Sequence, residues 1–124
     1  MSDSKTTVEE LRLLVRTFVD ERDWQQFHSP KNLSMALAIE AAELMEHFQW
    51  IDIETSRRVS EDKEKLAAVG EELADVMSYT LALADSLGID LAETVRAKMV
   101  KNALKYPADE YRGRYGNDDT GSVN

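Results

Sequence analysis

Residues 60–88, SEDKEKLAAVGEELADVMSYTLALADSLG, decide the fold class of this chain. Apolar and small side chains recur at helical spacing along one side of the stretch; they are Leu66, Val69, Leu73, Val76, Met77, Thr80 and Ala84. Ser60 can cap the first turn, and Glu61 and Asp62 complement the helix dipole there. Leu87-Gly88 is a typical helix stop. The stretch therefore predicts one long amphipathic helix.

Three further helices are predicted around it. Thr7-Val8-Glu9-Glu10 is a capping box that predicts a first helix over about residues 7–23. A second helix is expected from about Asn32 to Trp50, because apolar residues share one side of it; they are Leu33, Leu37, Leu44 and Phe48. Asp90-Leu91-Ala92-Glu93 is another capping box, and it opens a fourth helix that ends before Pro107. The segments between the helices, 24–31 and 52–55, are interpreted as connections.

Composition favours a single helical domain. The chain has 124 residues with only five glycines and two prolines, too few for the tight turns of an all-β fold. We therefore expect an all-α protein, an antiparallel four-helix bundle over residues 1–112. Residues 113–124 are rich in small polar residues and predict a flexible tail.

Charge and cysteine content exclude several function classes. The chain has no cysteine, which removes disulfide scaffolds, thiol catalysis and thiolate metal sites. The formal net charge of −9 argues against binding to nucleic acid or to an anionic membrane. No secretory leader or membrane span is evident, so a soluble cytoplasmic protein is expected. With two histidines in the chain, a metal ion would be held mainly by carboxylates.

Two acidic pairs predict such a metal site. Glu40 and Glu43 lie three residues apart on the second predicted helix, and Glu72 and Asp75 repeat that spacing on the third. Both pairs lie beside an apolar stripe, where like charges repel each other without a nearby cation. If the two helices pack antiparallel, four carboxylates can meet and bind Mg²⁺, with Mn²⁺ as a substitute.

Other readings of these acidic pairs stay open at this level. Carboxylates three apart are common on solvated helix faces, so the chain can also be a non-enzymatic, helical, oligomeric module that binds a metal or a nucleotide. A di-iron carboxylate bundle is disfavoured because it uses Glu-x-x-His pairs. The residues three before His28 and His47 are Gln25 and Leu44.

A basic face and an aromatic group complete the candidate residues. Lys98, Asn102 and Lys105 share one face of the fourth predicted helix, followed by Tyr106, and can bind phosphate or simply complement the helix end. Aromatic residues bracket the second predicted helix, and their rings suit stacking on a nucleobase; they are Trp24, Phe27, His28 and Trp50.

Taken in order, these motifs resemble the MazG-like, all-α nucleoside triphosphate pyrophosphohydrolases, and within them the dCTP pyrophosphatase-like branch. The resemblance covers about residues 8–107. It rests on four runs of sequence, Glu21–His28 with Pro30 and Asn32-Leu33 after it, Glu40–Leu44, Phe48–Trp50 and Glu71–Val76. Lys98-Met99 with Asn102, Lys105, Tyr106 and Pro107 complete it.

The resemblance implies a reaction and roles for individual residues. The family splits a nucleoside triphosphate into the monophosphate and pyrophosphate, which cleanses the nucleotide pool, and it works as a dimer or a tetramer. Glu40, Glu43, Glu72 and Asp75 would bind Mg²⁺, with Glu43 as the general base. The substrate would be bound by two groups: Trp24, His28, Trp50 and Tyr79 around the nucleoside, and Lys98, Asn102, Lys105 and Tyr106 on the triphosphate.

Overall fold

The computed structural model describes residues 1–114, and every regular element in that range is helical. The α-helices are α1 (Val8–Glu21), α2 (Pro30–Glu46), α3 (Ile53–Arg57), α4 (Lys63–Leu87), α5 (Leu91–Lys105) and α6 (Ala108–Tyr111). Two short 3-10 turns, Trp24–Phe27 and Val59–Glu61, lie between them. The prediction of an all-α chain is confirmed. None of the helices in the described range is long and apolar enough to span a membrane.

Residues with good capping chemistry set most helix ends. Thr7 Oγ1 accepts from Glu10 N at 3.1 Å, and Asp90 Oδ1 accepts from Glu93 N at 2.9 Å, so Thr7 and Asp90 cap their helices as predicted. Gly88 ends α4 in the left-handed conformation with φ 67°, which glycine adopts without a steric penalty.

Three predicted boundaries were wrong. α4 is capped by Asp62, whose Oδ1 accepts from Lys65 N at 3.1 Å, while Ser60 lies inside a 3-10 turn. α2 begins earlier than Asn32, because Ser29 caps it and proline suits the first helical position. It also ends at Glu46, before Trp50, and Asp52 then caps the short helix α3 in the segment read as a connection.

The chain divides into two compact units, Met1–Ile89 and Asp90–Asn124. In the first unit α4 packs against both α1 and α2. His28, just before α2, contacts Tyr79 with ring centroids 6.5 Å apart, whereas Glu43, late in α2, lies beside Glu72. Increasing residue number on α2 therefore matches decreasing number on α4, so the two helices are antiparallel.

α1 also runs antiparallel to α4, and polar side chains join the two helices. Arg16 donates to both carboxylate oxygens of Asp85, at 3.0 Å from Nε and 2.5 Å from Nη2. This pairing holds the pKa of the Asp85 carboxyl below its usual range. Arg12 donates to the carbonyl of Ile89. Ile89 lies about one turn beyond Asp85, just past the end of α4.

The buried core of the described residues is small. It consists of Val19, Leu33, Val59, Val69, Leu81 and Ala84, and Leu33 is the most completely enclosed at 1% exposure. In contrast, α2 carries a second apolar row on the side away from Leu33, with Met35 and Ile39 more than half exposed. A helix that is apolar on both sides is normally covered on both.

The second unit consists of α5, α6 and the end of the chain. Tyr106 follows α5, and its ring meets that of Tyr111 edge to face at 5.2 Å. The predicted four-helix bundle needs α5 to pack with the first unit and stays a prediction. Of the predicted tail, Gly113 and Arg114 are described and residues 115–124 lie outside the described range.

Candidate metal centre and adjoining cavity

Three of the four predicted carboxylates form a tight cluster between α2 and α4. Glu40, Glu43 and Glu72 each offer an oxygen, and these oxygens all lie within 4.8 Å of one another. Glu40 and Glu72 are half-buried, and Glu43 is exposed. The spacing of three residues on each helix and the antiparallel packing bring them together, as the sequence predicted.

The cluster concentrates negative charge. Burial is the main cause that raises the pKa of Glu40 to about 7, followed by its hydrogen bond with Glu43 and the charges around it. Burial and the neighbouring Glu43 also raise the pKa of Glu72. Within residues 1–114, no lysine or arginine forms an ion pair with either carboxylate.

The donor set fits a hard divalent cation. Oε2 of Glu40 and Oε2 of Glu72 are buried and have no hydrogen-bond partner among the described residues. A buried carboxylate oxygen without a partner is costly, and a cation satisfies it. Since all the ligand atoms are carboxylate oxygens, the cluster suits Mg²⁺ or Mn²⁺ better than zinc or copper.

Asp75, the fourth predicted ligand, lies near the cluster without belonging to its tight group. Its charge contributes to the raised pKa of both Glu40 and Glu72. Asp75 also lines a neighbouring cavity. His47 is a neighbour that the sequence analysis left without a role. Its charge opposes the rise in the pKa of Glu72.

The neighbouring cavity has a volume of about 520 Å³ and lies between α1, α4 and the 3-10 turn after α1. Trp24, His28 and Tyr79 all line it. The ring centroids of Trp24 and His28 are 6.2 Å apart, and those of His28 and Tyr79 are 6.5 Å apart. The structure therefore brings three of the four predicted nucleoside-binding residues to one wall.

Trp50 is the exception. It lies beyond the end of α2, is 86% exposed, and does not line this cavity in the described part of the chain. Its role in binding a nucleoside stays a prediction.

Sequence reasoning missed the apolar side of the cavity. Leu14 and Phe18 on α1 and Met77 on α4 line it and are about half exposed. Their helical spacing is typical of a stripe that faces a core. The same spacing is produced by a row of side chains that lines an open cavity, so periodicity alone does not separate the two.

The predicted phosphate-binding residues lie in the second unit. Lys98, Asn102 and Lys105 are all on α5 as expected, and Tyr106 is the residue that ends it. Lys105 Nζ lies 5.4 Å from the centroid of the Tyr106 ring. Contact of these four residues with a triphosphate stays a prediction.

Comparison with known proteins identifies the family. A model of the MazG-like family matches residues 35–117, which include both acidic pairs and the basic face. The chain belongs to the MazG-like family. The match covers more than half of the sequence and agrees with the resemblance found from its motifs.

This MazG-like chain is similar to curated and solved proteins. It is 45% identical to rat dCTP pyrophosphatase 1 over 108 residues, and 46% identical to the human protein of that name over 103. These alignments cover 86% and 82% of this chain, and 63% and 60% of the relatives' own lengths. A pyrophosphatase crystal structure from Archaeoglobus fulgidus matches with a TM-score of 0.73 and 40% identity, over 86% of this chain and 98% of that one.

Proposed function

We propose that the chain is a Mg²⁺-dependent nucleoside triphosphate pyrophosphohydrolase, converting a (d)NTP and water to the (d)NMP and pyrophosphate. The observation that carries the proposal is the carboxylate cluster, with its unsatisfied buried oxygens, next to an aromatic cavity. Such a reaction cleanses the cytoplasmic nucleotide pool. The net charge of −9 favours a mononucleotide bound through a cation over a nucleic acid.

The metal site comprises Glu40, Glu43, Glu72 and Asp75. These carboxylates hold Mg²⁺, and Mn²⁺ can substitute because it accepts the same oxygen ligands. When bound, the ion neutralises phosphate charge and makes water a better acid. The protein's contribution is to hold the acidic groups on two packed helices before the substrate arrives.

Glu43 is the proposed general base. It is exposed, whereas Glu40 and Glu72 are half-buried, so Glu43 has the best access to an incoming water molecule. A carboxylate that is not fully used in coordination can accept the proton that this water loses on attack at the α-phosphorus. Glu40 and Glu72 then serve mainly as ligands.

The two remaining groups of residues bind the substrate. Trp24, His28 and Tyr79 take the nucleoside into the cavity, where a base can stack on their rings. Trp50 joins them, and Lys98, Asn102, Lys105 and Tyr106 bind the triphosphate, by similarity to the family. The relatives named dCTP pyrophosphatase 1 favour dCTP or a modified dCTP as the substrate.

The protein works as a homodimer or a homotetramer. The outer side of α2 carries Met35 and Ile39, and two small residues, Ala38 and Ala42, lie on the same side of the helix. A second copy can approach such a surface closely and cover it. A symmetric contact of α2 with α2 is the simplest arrangement that does so.

The proposed function predicts turnover of triphosphates with a specific product pair. With Mg²⁺, we expect the purified chain to release equimolar pyrophosphate and monophosphate from a panel of ribo- and deoxyribonucleoside triphosphates, with deoxycytidine substrates ranking first. Without a divalent ion, release should fall to background. Product chromatography measures both. If no triphosphate is turned over, the chain is a binding module in which the carboxylates hold a metal without chemistry.

A further inference from the structure

The connection between α1 and α2, residues 22–29, supplies two of the four aromatic side chains that line the cavity. It contains Trp24 and His28, whose rings continue a row that runs from Phe18 on α1 to Tyr79 on α4. The Phe18 and Trp24 rings meet edge to face at 5.6 Å. The connection therefore forms part of the cavity wall, together with α1 and α4.

Polar side chains hold the connection in place at both ends. At its start, Asp23 adopts the left-handed conformation with φ 53°, and Gln26 Nε2 donates to its carbonyl at 3.0 Å and to its Oδ2 at 3.2 Å. Gln25 donates to Asp20 at the end of α1. At the other end, Asn32 Nδ2 reaches back from α2 and donates to the carbonyl of Phe27 at 3.0 Å.

The bond from Asn32 is the one that ties the aromatic segment to α2. Phe27 precedes His28 directly, so its carbonyl belongs to the peptide that carries the His28 ring. The backbone N–H of Asn32 is already satisfied by Ser29 Oγ at 3.1 Å as part of the helix cap. The side chain of Asn32 is thus free to act on the connection, separately from the cap.

We infer that Asn32 is a positioning residue for nucleoside binding: its side-chain amide fixes the Trp24–His28 segment in the conformation that accepts the base. The inference rests on the proposed function for the identity of the ligand. A preformed cavity binds more tightly than one that must be ordered first, so loss of this bond should weaken substrate binding. The metal cluster lies elsewhere on α2 and should be unaffected.

Asn32→Asp tests this role without damaging the helix. Aspartate has nearly the same shape as asparagine, but its carboxylate cannot donate to the Phe27 carbonyl and repels it. Asn32 is the third residue of α2, where a negative charge is favourable to the helix dipole. A purely structural account therefore predicts little loss of stability or even a gain, whereas the positioning account predicts a binding defect.

Steady-state kinetics give the first readout. In Asn32→Asp we expect KM to rise about tenfold, with kcat within about twofold of wild type, because a ground-state binding contact has been removed. Ser34→Ala is the matched control. It removes another side-chain to backbone bond at the start of α2, from Ser34 Oγ to the Lys31 carbonyl at 2.8 Å, and should leave KM unchanged.

Tryptophan fluorescence gives a second readout that needs no turnover. The chain has two tryptophans, so in a Trp50→Phe background Trp24 is the sole reporter. Acrylamide should quench Trp24 fluorescence more strongly in Asn32→Asp than in the Trp50→Phe parent. In Ser34→Ala it should quench Trp24 fluorescence to the same degree as in the parent. The comparison reports the position of the connection in the intact 124-residue chain.

The two readouts separate the possible failures. Increased quenching with a raised KM supports the inference. Unchanged quenching overturns it, and so does increased quenching with an unchanged KM. If the wild-type chain turns over no triphosphate, the proposed function fails together with the nucleoside assignment, and the fluorescence comparison still decides whether Asn32 holds the connection.

Discussion

Glu40→Gln is expected to abolish Mg²⁺-dependent turnover while it stabilises the metal-free protein. Glutamine keeps the shape of the side chain but offers a neutral oxygen in place of a carboxylate. Substitution of a residue that only hydrogen-bonds to a metal ligand lowers metal affinity or activity about 10- to 100-fold. Substitution of a ligand itself should therefore lower kcat/KM by more than about 100-fold. Pyrophosphate release at saturating Mg²⁺ measures this loss.

The stabilisation should depend on pH in a defined direction. The pKa of Glu40 is raised from 4.5 to about 7, so between these pH values the folded chain keeps a proton that the unfolded chain has lost. Stability of the wild-type, metal-free protein therefore falls as pH rises through this window. Glu40→Gln removes that fall, so its thermal midpoint should exceed that of wild type at pH 8 and match it near pH 4.

Glu71→Gln provides the control for this prediction. Glu71 is an exposed carboxylate next to Glu72 on α4 and lies outside the cluster. The variant changes the net charge by the same amount and should change neither turnover nor the pH dependence of stability. If Glu40→Gln retains turnover, or if Glu71→Gln loses it, the cluster is not the metal site.

Ile39→Lys should dissociate the proposed oligomer. The side chain is 59% exposed in the single chain, and a contact through the outer side of α2 would bury it. An unpaired charge buried in such a contact costs about 3–5 kcal/mol, which weakens association by about 100-fold or more. Sedimentation velocity over a concentration series should show the variant as a 14.1 kDa monomer where wild type is a dimer or larger.

Ala67→Lys is the matched control for this substitution. Ala67 is exposed on α4, away from the apolar row of α2, and the change adds the same charge. The control should sediment as wild type does. A wild-type chain that is monomeric at every concentration, or an Ile39→Lys variant that associates normally, would contradict the proposed contact.

Local sequence signals predicted helices well where one residue dominates the boundary. Thr7 and Asp90 have side chains that can cap a helix N-terminus, and Gly88 can adopt the left-handed conformation that ends a helix. The helices begin or end beside these three residues as expected. At the start of α4, Ser60 was the predicted cap with Asp62 in the first turn, whereas Asp62 is the cap and Ser60 lies in the preceding 3-10 turn. Propensity could not resolve that choice.

The site was predictable to the extent that helical spacing determines it. Glu40, Glu43 and Glu72 meet because spacing on two antiparallel helices leaves few alternatives. The left-handed backbone of Asp23 and the bond from Asn32 to Phe27 depend on the three-dimensional course of the connection, which no periodic pattern describes. For the same reason the exposure of Trp50 could not be foreseen from its neighbours in sequence.

The most direct test of the central claim is to follow oxygen from water during hydrolysis of dCTP. The reaction is run with Mg²⁺ in ¹⁸O-labelled water, and mass spectrometry locates the label in the products. Attack at the α-phosphorus with pyrophosphate as the leaving group predicts one labelled oxygen in dCMP and none in pyrophosphate. Three results would contradict the account: label in pyrophosphate, release of orthophosphate in place of pyrophosphate, and no hydrolysis of dCTP or of any other triphosphate.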